Sequence, residues 1–438
     1  MILPIFLDIS LAGTLLLLGY CLRSWIKLLK QFLLPASIVG GIVALVAGPN
    51  GLGLVPFSAG FSAYPGLLIA LIYSALPFAS ATISWRDLSQ QASDLWGLSV
   101  FAIVMQWAVG LLLTVYVLQW IWPDLHSGFS TILAAGFVGG HGTAAAIGSA
   151  FAELDWQDAQ SLAMTSATVG ILSSICGGII WVNLHQRNDI EGESEQQEKL
   201  TTRPTDEIFS EPDQTASVDS GIIDPFAFQL SLVLIAFLGG YHLHQLWSTH
   251  VPDFKLPLFC LTFISALFVK RLLAIFGLLS LVDQRISSHI AGTLTDFLII
   301  FGIAAIQFSI IRDYAMPLAI LFLVGLTLSS IICRLLGPVF IRNHWFEHAL
   351  FTWGWITGIM AMGIALLRIV DGNNKTRALD HFAFAYLFVV PIEVVMVTLA
   401  PQLIARNMEW ALLLVTFGIG TILLTYFCWR FIHKRQLM

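Results

Sequence analysis

Gly139-Gly140-His141-Gly142-Thr143 puts three glycines, an imidazole and a hydroxyl into five consecutive positions of an otherwise apolar run. Glycine pairs expose main chain. In hydrocarbon an exposed main chain is tolerated only where it is buried in protein or lines a cavity. Free N–H groups at a helix break carry partial positive charge and suit a carboxylate, while free carbonyls with Ser or Thr hydroxyls suit a dehydrated Na+. Gly139, Gly140 and Gly142 let a solute approach the main chain, Thr143 offers its hydroxyl, and His141 can hydrogen-bond a carboxylate or carry a proton. The competing reading of the glycines is close helix packing. A second break of the same kind, Trp353-Gly354-Trp355-Ile356-Thr357-Gly358, adds Gly354, Thr357 and Gly358 as binding candidates.

Other polar residues stand at membrane depth. Thr165, Ser166, Thr168, Ser173 and Ser174 crowd the apolar segment that follows the first break. Thr165 and Thr168 lie on neighbouring faces of a helix and are ion-path candidates, with back-bonding to their own helix as the alternative. Glu393, beside Pro391, is an acid where charge is costly. It is a candidate for cation or proton coupling, against pairing with a buried base, and Pro391 is expected to break its helix and free carbonyls there. Asp296, with Thr293 and Thr295, is a weaker case of the same kind. No nucleophile–base pair at catalytic spacing, phosphate-cradling loop or metal-ligand cluster is present, which argues against an enzyme or a primary pump. Neither a cofactor nor a nucleic-acid partner is expected.

The elements that must position these groups are membrane helices. The hydrophobic fraction is 57%, the charged fraction 11% and the mean hydropathy +0.83, against roughly 25% charge in a soluble domain. Apolar runs of about 18 residues or more, each able to cross a hydrocarbon core of about 30 Å, recur along most of the chain. The five cysteines, Cys21, Cys176, Cys260, Cys333 and Cys428, lie in apolar segments at no metal or redox spacing and read as small hydrophobic residues. The net charge of −6 comes from one polar stretch. That stretch, 186–224, is too acidic and polar to fold alone and reads as a disordered linker, which the charge asymmetry puts in the cytoplasm.

Six apolar segments precede the linker, near 5–23, 32–49, 64–80, 95–122, 129–152 and 161–185. Six follow it, near 225–247, 256–279, 288–307, 314–341, 349–370 and 381–404, with an extra one near 409–433. In both halves the fifth segment carries the Gly/Thr break. If each fifth segment is a re-entrant hairpin, each half crosses five times and the second half is inverted. Basic residues from Arg23 and Lys27 through Lys270, Arg271 and Arg285 to Arg430 and Lys434 then fall on the cytoplasmic side, leaving only Lys255, Arg312 and Arg406 outside. A fully crossing first hairpin would put Lys270, Arg271 and Arg285 outside. From Thr131 to Gly139 is about nine residues, or about 13 Å of helix, which reaches the bilayer midplane. The expected fold is therefore an all-α polytopic membrane protein. It has two inverted-topology repeats, 1–185 and 225–404, each of five transmembrane helices plus one re-entrant hairpin, with an additional C-terminal transmembrane helix in 405–438. The N-terminus lies outside and the C-terminus in the cytoplasm.

The stretch Gly139–Ala146, with Ala167-Thr168-Val169-Gly170 and Gly177-Gly178, resembles the first half of the bacterial sodium/glutamate symporters. Thr357–Gly363 through Leu366–Asp371 resembles a divergent branch of that family. The resemblance covers the chain apart from the linker and the last helix. It implies opposed hairpins, a homodimer in the bacterial inner membrane, and uptake of glutamate or a similar small anionic amino acid with Na+ by an elevator-like alternating access. It carries over Gly139–Thr143 as binding-site positions. The alternative function is Na+- or H+-coupled transport of another small carboxylate, with Glu393 as the coupling acid. A membrane-embedded enzyme using His141, or a passive channel, is the more distant reading.

Overall fold

A computed structural model describes residues 2–27, 29, 34–79, 90–189, 223–252, 255–371 and 375–436. These residues form helices and connecting turns, with no β-strand among them. Most of the stretch read as linker lies outside the described residues. Its edges are visible: one helix runs on to Asp189, and the next begins at Pro225 with Asp224 accepting the Ala227 N–H at 3.0 Å as a cap.

The first half contains α1 (Ile2–Trp25), α2 (Ala36–Ala47), α3 (Tyr64–Ala79), α4 (Gln90–Leu113), α5 (Ile132–Phe137), α6 (Gly140–Ala152) and α7 (Asp158–Asp189). The second contains α8 (Pro225–His250), α9 (Leu258–Ile275), α10 (Gln284–Ala304), α11 (Ala315–Ile331), α12 (Trp345–Thr357), α13 (Met360–Val370) and α14 (Ala378–Ala405), and α15 (Glu409–Gln436) follows. Ten helices among the described residues are long and apolar enough to cross a membrane, so this is a multi-pass membrane protein. The two halves share a pattern. α4 and α11 each end in a five-residue π-helical turn, Thr114–Leu118 and Ile332–Leu336, and each is followed by a broken fifth segment. The helices beyond the breaks, α6 with 13 residues and α13 with 11, reach about 16–20 Å, too short to cross about 30 Å of hydrocarbon.

Packing sorts the helices by their place within each half. α1, α2 and α3 pack with α8, α9 and α10, and α4 to α7 pack with α11 to α15. The two groups meet chiefly where α6 lies on α3 and α10. Thr262 of α9 donates to the Ala70 carbonyl of α3 at 2.9 Å inside the first group. In the second group α4 is central, touching α5, α11, α12, α14 and α15.

Pro391 is a correction to the sequence reading. α14 runs unbroken from Ala378 to Ala405 with Pro391 and Pro401 inside it. The helix continues through both prolines, although each removes one main-chain hydrogen bond. The five cysteines are all unpaired.

Candidate functional site

The first break opens where α5 ends. The Val138 N–H closes the last turn on the Ala134 carbonyl at 3.2 Å. Gly140 then takes φ +59°, in the left-handed region that favours glycine, and turns the chain into α6. A Cβ on Gly139 would overlap the Thr143 side chain and reach Oε1 of Glu393. Both glycines are therefore required by geometry: one for its φ, the other for the side chains that fold over it. α6 begins with no side chain capping its first N–H groups.

The second break is built from the opposite end. The carbonyls that finish α12 are held by side chains from elsewhere in the chain. Ser174 Oγ of α7 donates to the Gly354 carbonyl at 2.9 Å, and Gln106 Nε2 of α4 donates to the Ile356 carbonyl at 2.9 Å. Gln106 also donates to Ser329 Oγ of α11 at 3.1 Å. Trp353 donates its indole N–H to the Ser174 carbonyl at 3.0 Å and stacks on Trp181 with centroids 5.2 Å apart. The bare Cα atoms of Gly177 and Gly178 leave room for Trp353 and Leu366. α13 begins after Ile359, whose side chain cannot cap.

The two breaks meet. A Cβ on Gly140 would overlap Ile359 and lie 3.4 Å from the Gly358 carbonyl. Two helix N-termini with uncapped N–H groups therefore converge at the interface of the two halves, and ordinary caps such as Ser, Thr or Asp are missing from both. Around this point Thr143 Oγ1 donates to Glu393 Oε1 at 2.8 Å, and His141 Nε2 lies 3.2 Å from Thr168 Oγ1. His141 is 2% exposed, and its Nδ1 is buried with no hydrogen-bond partner among the described residues. Gln106 Oε1 is in the same condition. Unpaired polar atoms at this depth are costly, so their presence beside two uncapped helix ends fits a place where a polar solute completes the bonding.

The structure brings together Gly139, Gly140, His141, Thr143, Thr168, Gly358 and Glu393. Other candidates fall elsewhere. Gly354 is taken up by the crossing of α12 and α13, where its Cα meets the main chain of Gly363. Gly142 faces Ile69 of α3. Thr357 hydrogen-bonds back to the Trp353 carbonyl at 2.6 Å while its own carbonyl lies against Gly170. Thr165 bonds back to Ser161 at 2.7 Å. Asp296 lies beside Ser37 of α2, and no hydrogen bond joins it to either break. Sequence reasoning passed over Gln106 and Ile359. The signal for Gln106 was a lone glutamine in the apolar run of α4; Ile359 carries none, because its role is to lack a capping group. No group of three or more His, Cys, Asp and Glu suited to a metal ion occurs among the described residues.

No curated protein and no solved structure matches this chain. The family model for the sodium/glutamate symporters matches residues 1–341, which include the first break, the neighbouring α7 and all of the first half. With that match and this architecture, the chain belongs to the sodium/glutamate symporter family.

Proposed function

We propose that this protein carries glutamate, or a similar small anionic amino acid, into the cell together with Na+ by alternating access. The observation that carries the reading is the convergence of two uncapped helix N-termini at Gly140 and Ile359, beside the unpartnered Nδ1 of His141. Convergent N–H groups with partial positive charge suit a carboxylate, and no covalent chemistry is required. Gly139, Gly140, His141, Thr143 and Gly358 are the contact positions on this reading. The breaks are the tips of two re-entrant hairpins that enter from opposite faces, in halves of inverted topology with the N-terminus outside and the C-terminus in the cytoplasm. The matching π-helical turns and matching breaks support the repeat. The partition of helices into two groups supports an elevator-like movement, with α4–α7 and α11–α15 carrying the site past α1–α3 and α8–α10. A homodimer in the bacterial inner membrane completes the reading.

The test is uptake of radiolabelled L-glutamate into proteoliposomes, with and without an inward Na+ gradient, and with unlabelled acids as competitors. Na+-dependent uptake that Thr143→Ala abolishes without loss of folded protein is the expected result. Uptake of another carboxylate in preference to glutamate would reassign the cargo, and uptake indifferent to Thr143 would remove the first break from the site.

A further inference from the structure

We infer that Glu393 is the seat of the coupled cation, and that Na+ on this carboxylate is what permits the anionic substrate to bind at the adjacent helix breaks. The inference rests on the reading of those breaks as the substrate site.

The chain treats the acids of its membrane helices differently. Asp94 of α4 is fully buried and held by two guanidinium groups: Arg342 through Nε at 2.8 Å and Nη2 at 3.0 Å, and Arg430 through Nη1 at 2.6 Å. Asp8 of α1 is also buried, and it accepts the Ser58 N–H at 2.9 Å, the Ser58 hydroxyl at 2.5 Å and the Tyr64 hydroxyl at 2.8 Å. Both are satisfied by protein groups. Glu393 is half-buried midway along α14 and, among the described residues, receives one hydrogen bond, from Thr143. No Lys, Arg or His among the described residues forms an ion pair with it. The titratable groups that interact with it are Tyr73 from α3 and Tyr386 on its own helix, with Cys260 from α9 beyond Tyr73 and His141 two residues before its partner Thr143 on α6. None of these carries a fixed positive charge.

An acid without a base at membrane depth needs a cation or a proton. Hard oxygen donors, here the carboxylate and the Thr143 hydroxyl, suit Na+. Position supplies the coupling. Glu393 Oε1 reaches over Gly139, immediately before the N-terminus of α6. A substrate carboxylate on that N-terminus would sit within roughly 6 Å of it. At an effective dielectric of about 20, two negative charges that close weaken binding roughly a hundredfold. A cation on Glu393 removes the repulsion, so cation and substrate each raise the affinity of the other by the same factor.

Three measurements on the full-length protein in lipid nanodiscs and proteoliposomes test this: binding of radiolabelled Na+, L-glutamate affinity against Na+ concentration and pH, and Na+-driven uptake against counterflow exchange. In the wild type, Na+ should raise glutamate affinity on the order of a hundredfold. Glu393→Gln should bind glutamate with an affinity indifferent to Na+, lose Na+ binding and Na+-driven accumulation, and still exchange internal for external glutamate. Glu393→Asp keeps the charge with a shorter reach. It should retain Na+ dependence with a displaced midpoint, which supplies the test if the Gln variant fails to fold. Glu393→Gln that retains Na+-dependent glutamate affinity overturns the inference. So does a wild-type affinity that follows pH and ignores Na+, which would make the cation a proton. Na+ binding that Glu393→Gln abolishes, in a protein that binds no glutamate, would sustain the cation site and sink the glutamate reading alone.

Discussion

Gly140 and Ile359 stand face to face across the meeting point of the two breaks, so close that a single Cβ on Gly140 would overlap the Ile359 side chain. Gly140 also holds φ +59°. Gly140→Ala therefore meets two obstacles: a left-handed backbone that costs about 1–2 kcal/mol for a residue with a Cβ, and a steric conflict. The expected outcome is loss of substrate uptake in a protein that still inserts. Ile359→Ala in the same chain should relieve the conflict and recover uptake only in part, since the backbone strain persists. Full recovery in proteoliposome assays would show that the φ of Gly140 is of no consequence.

The ion cluster at Asp94 predicts how the last helix is held. Arg430 of α15 donates to Asp94 and to the Phe340 carbonyl at 2.5 Å, and its guanidinium lies 4.4 Å over the Phe427 ring. Phe427 in turn packs against the bare Cα of Gly97 on α4. Asp94→Asn removes the charge that Arg342 and Arg430 share and should cost about 3–5 kcal/mol. Arg430→Met keeps the Asp94–Arg342 pair and should cost less. Thermal unfolding of the purified protein checks the order, and an Asp94→Asn variant as stable as the wild type would contradict it.

A pH dependence is expected at the turn after α6, outside the membrane spans. Burial pushes the Glu153 carboxyl up to about 7, against the opposing pull of Lys255 and of the Leu258 N–H. A raised folded value means that the native state keeps this proton to higher pH than the unfolded chain does. The associated stability is fully present below the ordinary carboxylate range and is lost as pH rises through about 7. Glu153→Gln should remove this component, so that its melting temperature falls less than that of the wild type between about pH 5 and pH 8.

Much of the candidate site was legible in the sequence because its signals are local. A glycine pair, a threonine and a histidine inside an apolar run announce a break, and the first break falls at Val138-Gly139, on the edge of that motif, whereas the second falls at Gly358-Ile359, with Trp353–Thr357 still helical. Glu393 was legible for a related reason, since an acid in a membrane helix is costly. The glycines of α12 and α7 were harder to sort. Gly354, Gly177 and Gly178 serve the close approach of Gly363, Trp353 and Leu366. Nothing in the sequence separates such a packing glycine from one that exposes main chain to a solute. Pro391 did not break its helix: α14 runs on through it at the loss of one main-chain hydrogen bond.

The sequence by itself determined that this is a membrane protein, roughly where its helices lie and which two apolar segments are interrupted. Hydrophobicity and backbone freedom act over a few residues, and hydrocarbon punishes any exception. Only the tertiary structure decided which polar groups meet. Thr143 and Glu393 are 250 positions apart, as are Gln106 and the Ile356 carbonyl. Their encounters depend on how twelve apolar segments and one extra helix pack together. Side chains of nearly equal hydrophobicity do not encode that packing one segment at a time.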